Sequence, residues 1–244
     1  MKVIIIGDIH GRNSWKTLRD KADKLVFVGD YFDTREKING KKQLDNFVDL
    51  ISFKRENPDK VILLLGNHDY QYLRGVDETY SGYQPHYHHD IREALEYALT
   101  NKMIDICYFF NNNKEKFLVS HAGVSQVWFD INAKDKEGSS VVEKINNLFL
   151  KNRDNFSFYQ KGMNNRNPYG DNVEQSPIWI REASLLSSLL RGGEISDYKQ
   201  IIGHTMVDKI IIDEYPNFIK VDSLHNKEYL IVNDDNIEIG KIGE

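Results

Sequence analysis

Three short runs of aliphatic residues, each closed by glycine and a polar residue, punctuate the first third of this chain. They are Val3-Ile4-Ile5-Ile6 before Gly7-Asp8, Leu25-Val26-Phe27-Val28 before Gly29-Asp30, and Val61-Ile62-Leu63-Leu64-Leu65 before Gly66-Asn67. Uninterrupted apolar runs of this length read as strands buried on both faces. Between them, Trp15 to Ala22 and Gln43 to Phe53 carry apolar residues at helical spacing, and Pro58-Asp59 punctuates the end of the second helix. The opening is therefore predicted as βαβαβ, with each polar group delivered at the carboxyl end of a strand, where open α/β sheets place their ligands.

Further along, Tyr80 to Asp90 reads as a loop rich in Tyr and His, Asp90 to Leu99 as a helix that Asp90 caps, and Ile104 to Phe110 as one aromatic strand. Asn111 to Lys114 has turn composition, and Phe117 to Ser120 gives a short strand that presents His121. From about Val124 to Ser176 strand punctuation disappears, and this stretch is read as a helical and looped insertion that shapes the substrate site. Ile178 to Leu190 is expected to be a helix ended by Gly192-Gly193, followed by a strand over Lys199 to Ile202 that presents His204. The tail, Ile210 to Asp213, Phe218 to Val221, Tyr229 to Val232 and Ile237 to Ile239, is read as a meander of short strands.

With 244 residues, 40% hydrophobic and 28% charged, the chain has ordinary globular proportions and is expected to form a single domain over 1–244, with the insertion at about 124–176. A net charge of −5 speaks against a sequence-independent nucleic-acid binder, whose affinity rests on Lys and Arg neutralising phosphates. Cys107 is the only cysteine and is read as an inert packed residue. No apolar run is long enough for a membrane span and no secretory pattern opens the chain, so the expectation is a cytoplasmic protein with no membrane partner. Oligomeric state is left open.

The polar groups matter as a set. Asp8 and His10 in Gly-Asp-Ile-His-Gly, Asp30, Asn67 and His68 in Gly-Asn-His-Asp, His121 in His-Ala-Gly and His204 in Gly-His provide carboxylate, amide-oxygen and imidazole donors without a thiolate. Such a mixture suits a pair of divalent ions. A carboxylate can bridge two ions about 3.5–4 Å apart, which together activate one hydroxide and hold phosphate oxygens for in-line attack. A His beside a carboxylate would protonate the leaving alkoxide, and Arg would hold the remaining oxygens. His86, His88 and His89 are also clustered, but in a polar aromatic loop they read as loop chemistry rather than as a third metal site.

These blocks resemble those of the calcineurin-like metallophosphoesterases, and specifically the phosphoprotein phosphatase branch with its bacterial and phage-type serine/threonine phosphatases, whose pattern runs GDxHG, GDxxDRG, GNHE, HAG and GH. The resemblance covers Val3 to Asp69 and then Phe117 to Gly123, Ile178 to Glu182 and Ile201 to Asp222. It implies a four-layer α/β/β/α sandwich. It also implies that Asp8 and His10 bind one metal, that Asp30 bridges, and that Asn67, His121 and His204 bind the other. His68 paired with Asp33 would be the general acid. Arg181, in Trp179-Ile180-Arg181-Glu182, together with Arg35 and Asn67, would contact the substrate phosphate. Two divalent ions are implied, manganese first, with iron, zinc, nickel or magnesium as alternatives. Met206, where many other members of the superfamily carry a second His, points to the phosphoprotein phosphatase branch. The chain departs from the pattern at Asp33-Thr34-Arg35, where Arg is displaced by one position and Gly is missing, and at Asp222-Ser223-Leu224 in place of Asp-Thr-Gly.

The implied activity is hydrolysis of a phosphomonoester by direct attack of metal-bound hydroxide, with phosphorylated Ser or Thr in proteins as the family-level substrate. Alternatives are a dinucleoside polyphosphate hydrolase, for which Tyr80, Tyr83 and Tyr87 offer base-stacking surfaces, a polynucleotide-end phosphatase, and a non-catalytic module that binds phosphorylated ligands.

Overall fold

The computed structural model describes residues 1–160, 163 and 167–243. Strands β1 (Val3–Ile6), β2 (Lys24–Phe27) and β3 (Val61–Leu64) form where the aliphatic runs predict them, and they pair in parallel in that order. β4 (Ile104–Asp105) extends this sheet beyond β3, while β9 (Glu228–Val232) and β10 (Ile237–Lys241) add antiparallel strands beside β1. The second sheet consists of β5 (Cys107–Asn111), β6 (Lys116–Ser120), β7 (Lys199–Ile202) and β8 (Phe218–Lys220) in that order. β5 is antiparallel to β6, and β6, β7 and β8 are parallel.

Alternation along the strands explains the layering. Val3 and Ile5 of β1, Val26 of β2 and Ile62 and Leu64 of β3 pack with Phe117, Val119, Ile201 and Ile219 of the second sheet, forming an apolar core between the sheets. The alternate residues Ile4, Ile6, Leu25, Phe27 and Leu63 face the opposite way, into a core shared with helices. There α1 (Gly40–Glu56), capped by the Asn39 side chain accepting from Lys42 N at 2.9 Å, contributes Phe47, Leu50 and Ile51. After the single-turn α2 (Asn67–Tyr70), α3 (His88–Thr100) contributes Ile91 and Leu95. On the second sheet, α4 (Gln126–Asn132), α5 (Val141–Lys151) and α6 (Glu182–Leu189) supply Trp128, Ile145 and Leu185. Two sheets flanked by helices give the expected four-layer α/β/β/α arrangement.

Several predicted elements differ from the structure. Trp15 to Ala22 is not an α-helix but a 3₁₀ turn over Ser14–Leu18, because the residues after β1 first build the loop Gly7 to Arg12 and too few remain for a full crossover helix. The run Ile104 to Phe110 is two strands in different sheets, divided at Ile106, where the Asn146 side chain accepts from the backbone N–H groups of Ile106 and Cys107, each at 3.0 Å. Asp90 lies within the first turn of α3 rather than at its cap, Tyr87 being the N-cap. The helix expected from Ile178 begins only at Glu182, since Trp179 and Ile180 N–H groups bond back to Ser176 O in a turn. The tail is not a meander: Ile210 to Asp213 is irregular, β8 joins the second sheet, and β9 and β10 form a hairpin on the first. The segment 124–176 holds α4, α5 and a 3₁₀ turn over Arg153–Phe156; part of it, 161, 162 and 164–166, lies outside the described residues. No helix among the described residues is long and apolar enough to cross a membrane.

Candidate metal centre

The loops after β1, β2, β3 and β7 line one cleft of about 1110 Å³, and His121, after β6, lies buried beside it against Asn67. Backbone bonds lock the first two together: Ile9, His10 and Gly11 donate to the carbonyls of Gly29, Asp30 and Tyr31 at 3.3, 2.6 and 2.9 Å. Asp69, fully buried, clamps the second loop to the third by accepting from Tyr31 N at 2.8 Å and Gly66 N at 3.0 Å. Burial pushes its carboxyl up to about 7. Of the six described non-glycine residues with positive φ, four are His10, Asp30, Asp33 and His204. Left-handed backbone in such residues costs of order 1–3 kcal/mol, and here it is concentrated in the polar loops of one cleft.

Asp8, His10 and Asp30 offer donor atoms within 4.8 Å of one another. His10 Nδ1 donates to Phe32 O at 2.7 Å, so its Nε2 lone pair faces Asp8 Oδ2 and Asp30 Oδ2, each at 3.9 Å. A second group forms around the Asn67 side-chain oxygen, which lies 2.8 Å from His121 Nε2 and 2.9 Å from His204 Nδ1. His121 is fully buried and donates from Nδ1 to Val28 O at 2.9 Å, leaving its Nε2 lone pair to face the Asn67 oxygen and, at 3.5 Å, Asp30 Oδ2. Burial lowers both His10 and His121 to about 3 and drives His204 well below the ordinary histidine value, so these rings are neutral near pH 7. Lone pairs aimed at oxygen lone pairs repel unless a cation lies between them. The donor set therefore fits divalent ions, and Asp30 is common to both groups.

The carboxyls respond in the opposite sense. Asp8 is pushed well above the usual range by burial, then by Asp222 and Asp30; Asp30 is raised by burial and by Asp69. A cation offsets both costs. Two glycines permit this crowding: a Cβ on Gly66 would lie 2.1 Å from Asp30 Oδ1, and one on Gly203 would lie 2.2 Å from Asp8 Oδ1.

His68 stands beside the donors. Its backbone N–H donates to Asp30 Oδ1 at 2.8 Å, and its Nδ1 lies 3.2 Å from Asp33 Oδ2. Asp33 is held in turn by the Tyr72 hydroxyl at 2.5 Å, by Gln84 Nε2 at 3.2 Å and by Gln71 Nε2. A ring so oriented presents Nε2 away from Asp33, as a proton donor requires.

Arg181 is the N-terminal flanking residue of α6 rather than a mid-helix residue, and its side chain lines the cleft. Its neighbour Glu182 pairs with Lys220 at 2.8 Å, and among the described residues Arg181 forms no ion pair. Arg35 lines the cleft from an exposed position. Two further charged residues lie in the cleft that the motif reading did not assign. Arg12, directly after the first motif, donates from Nε to Glu36 at 2.6 Å and from Nη1 to Asp8 O at 3.2 Å. Asp222 shares a hydrogen bond with the Asp8 carboxyl, and burial raises it to about 6. The histidine cluster stays apart from the cleft: the His88 ring contacts Tyr72 and Tyr83, and its Nδ1 lies 2.6 Å from the Tyr83 hydroxyl. Cys107 is buried, with its thiol pushed up by burial.

Comparison with known proteins adds an independent line. A family model described as calcineurin-like phosphoesterase matches residues 1–208. The serine/threonine-protein phosphatase 4 catalytic subunits of Eremothecium gossypii and Kluyveromyces lactis are 32% identical over 87 residues, a stretch covering 33% of this chain and 26% of theirs. The match thus spans a minor part of the curated relatives. Among solved structures, a cold-active protein-tyrosine phosphatase of a psychrophilic Shewanella superposes with a TM-score of 0.62 at 20% identity, covering 99% of this chain and 78% of that one. A protein serine/threonine phosphatase from Saccharomyces cerevisiae gives 0.59 at 13% identity, covering 100% and 80%. At such identities the likeness is one of fold.

Proposed function

The chain belongs to the calcineurin-like phosphoesterase family, and from that premise we propose that it hydrolyses phosphomonoesters of phosphorylated proteins at a binuclear metal centre. Metal-dependent phosphoester hydrolysis is the family's chemistry. The observation that carries the finer reading is Asp30, whose carboxylate lies 3.9 Å from His10 Nε2 and 3.5 Å from His121 Nε2, joining two donor groups into one site. In this reading Asp8 and His10 would hold one ion and Asn67, His121 and His204 the other, with Asp30 within reach of both groups. Divalent ions there, manganese first, would supply Lewis acidity toward water and phosphate oxygens.

The chain's own residues do the rest. His68, oriented by Asp33, gives its Nε2 proton to the departing oxygen. Arg181 binds the phosphate oxygens that face away from the ions, with Arg35 at the rim and the Asn67 amide nearby. Arg12, braced by Glu36 and by the Asp8 carbonyl, adds fixed positive charge on the side where the Asp-Arg-Gly block is incomplete. The phosphoprotein branch is supported by Met206 after Gly203-His204 and by the serine/threonine phosphatase relatives. The nucleotide-hydrolase alternative rested on Tyr80, Tyr83 and Tyr87 as base-stacking rings; Tyr83 instead stacks on Tyr72, with centroids 5.2 Å apart, which weakens that reading.

The deciding experiment is a manganese-supplemented panel of an aryl phosphate, phosphopeptides, dinucleoside tetraphosphate and cyclic nucleotides. Hydrolysis of the monoesters that disappears with chelator is expected. Two bound ions without turnover on any of them would instead mark a binding module, and preference for the tetraphosphate would favour the nucleotide reading.

A further inference from the structure

Glu182 adjoins Arg181 in the chain, and both residues line the cleft. A carboxylate beside a guanidinium ordinarily pairs with it, and a paired guanidinium has fewer donors left for phosphate. Here Glu182 is drawn elsewhere. Its Oε2 accepts from Lys220 Nζ at 2.8 Å, and its Oε1 accepts from the Tyr215 hydroxyl. Lys220 is buried, pairs also with Glu214 at 3.2 Å, and carries its ammonium 5.0 Å from the centre of the Tyr215 ring. Against the cost of burial, the Lys220 and Tyr215 hydrogen bonds hold Glu182 below the usual carboxylate range. Asp171, whose charge also acts on Arg181, is engaged by Ser184 Oγ at 2.6 Å.

The result is an arginine with open donors. Among the described residues the Arg181 side chain makes one hydrogen bond, from Nε to Tyr169 O at 3.2 Å, and neither Nη has a partner. Burial lowers Arg181 from the ordinary guanidinium range, and the first carboxylate to act against that cost is Asp30, a candidate metal ligand. Glu182 is the first residue of α6, and Lys220 closes β8 opposite Ile202 of β7, two residues before His204. The strand pair that presents His204 therefore also stations the cation that draws Glu182 aside.

We propose that Lys220, assisted by Tyr215, is a positioning residue for phosphate recognition: by holding the Glu182 carboxylate it keeps the Arg181 guanidinium open toward the cleft. This inference rests on Arg181 as the phosphate-binding residue of the reading above. Lys220 is not among the residues lining the cleft, so it acts through Glu182 and not on the phosphate itself. Removing its charge leaves a partly buried carboxylate without its cation, which is a costly state. The adjoining Arg181 has no ion pair to give up, so Glu182 turns to it and occupies donors otherwise offered to phosphate.

The test is calorimetric binding of inorganic phosphate to the manganese-loaded full chain, beside KM and kcat on a chromogenic aryl phosphate. Lys220→Met is expected to weaken phosphate binding and to raise KM, each about 10-fold, with a smaller change in kcat. Adding Glu182→Gln should return both to within about twofold of wild type. Adding Glu214→Gln instead should not, because that carboxylate also binds Lys220 but does not line the cleft. Tyr215→Phe, which deletes one hydroxyl, should show the same defect at about 2- to 5-fold, again corrected by Glu182→Gln, and it decides the question if Lys220→Met does not fold. Unchanged phosphate affinity in the single variants, or equal recovery with Glu182→Gln and Glu214→Gln, would overturn the proposal and leave the network a structural role. Arg181→Ala separates the premise. Weakened phosphate binding there, beside wild-type binding in Lys220→Met, defeats the positioning role alone, whereas wild-type binding in Arg181→Ala removes the phosphate-binding reading as well.

Discussion

Gly203→Ala tests how tightly the proposed metal centre is built. The added Cβ would lie 2.2 Å from Asp8 Oδ1 and 2.6 Å from Val28 Cγ2, against an ordinary contact of 3.4 Å or more. More than 1 Å must therefore be recovered by moving the Asp8 carboxylate or the strand end behind it. Overpacking of this kind costs about 1–3 kcal/mol. For a chain of this size each kcal/mol lowers Tm by about 2–4 °C. The greater effect is on the ion, because ligand distances tolerate only about 0.2 Å of error. The displaced carboxylate also loses the His204 N–H, which donates to Asp8 Oδ1 at 3.1 Å. Metal affinity at the Asp8 and His10 group should fall by about 100-fold or more, at or beyond the top of the range for disturbed supporting contacts. The assay is metal content by mass spectrometry after desalting, with thermal unfolding in the presence and absence of chelator. Gly192→Ala is the control: its φ is +74°, but nothing lies within 4 Å of the added carbon, so it brings backbone strain without contact. If Gly203→Ala keeps two ions at wild-type affinity, the close approach does not hold the ligand and the reasoning fails.

Other outcomes follow from the same geometry. His68→Ala should retain metal and lose about 10²- to 10⁴-fold in kcat on substrates with poor leaving groups; undiminished turnover on an alkyl phosphate would remove His68 as the acid. Arg181→Ala should lower kcat/KM by about 100-fold while leaving Tm near wild type, since the side chain forms no ion pair among the described residues. Steady-state kinetics beside a melting curve checks this, and a collapse in Tm would give Arg181 a structural role instead. Metal affinity should rise with pH. Asp8 and Asp30 are raised and must lose protons to bind, whereas His10 and His121, held at about 3, are already neutral. Calorimetry near pH 6 in buffers of different ionisation heat should register proton release on metal loading; proton uptake would reverse the assignment.

The strands that carry the polar loops are legible in the sequence because both faces are covered, which makes Val3 to Ile6 and Val61 to Leu64 uninterrupted apolar runs. That five widely separated polar blocks meet at one site also follows from their common place at strand ends. What escapes the pattern depends on neighbours distant in sequence. Nothing local indicates that Ile104 to Phe110 divides between two sheets, since the division is set by Asn146, about forty residues away. The late start of α6 reflects Trp179 turning its indole N–H to Phe156 O at 3.0 Å instead of extending a helix. Arg12 could have been noticed, because it directly follows the first motif, but its partner Glu36 lies in another loop. Asp222 gave a weaker signal still: its block departs from the family pattern, and only the meeting of β8 with the end of β1 brings it to Asp8.

The donors of the site are mounted on different layers of the sandwich. Asp8, His10, Asp30 and Asn67 follow strands of the larger sheet, and His121 and His204 follow strands of the smaller one. Hydrogen bonds that cross between the layers, such as His121 Nδ1 to Val28 O at 2.9 Å, His204 N to Asp8 Oδ1 at 3.1 Å and Asn113 N to Asp234 O at 3.0 Å, lie at strand ends and turns rather than along the greasy seam, so bound cations would act as a rivet through both slabs. Stripping them would leave each slab intact but loosen this edge of the sandwich, and amide exchange should quicken first along the facing strand ends, well before either hydrogen-bonded ladder opens.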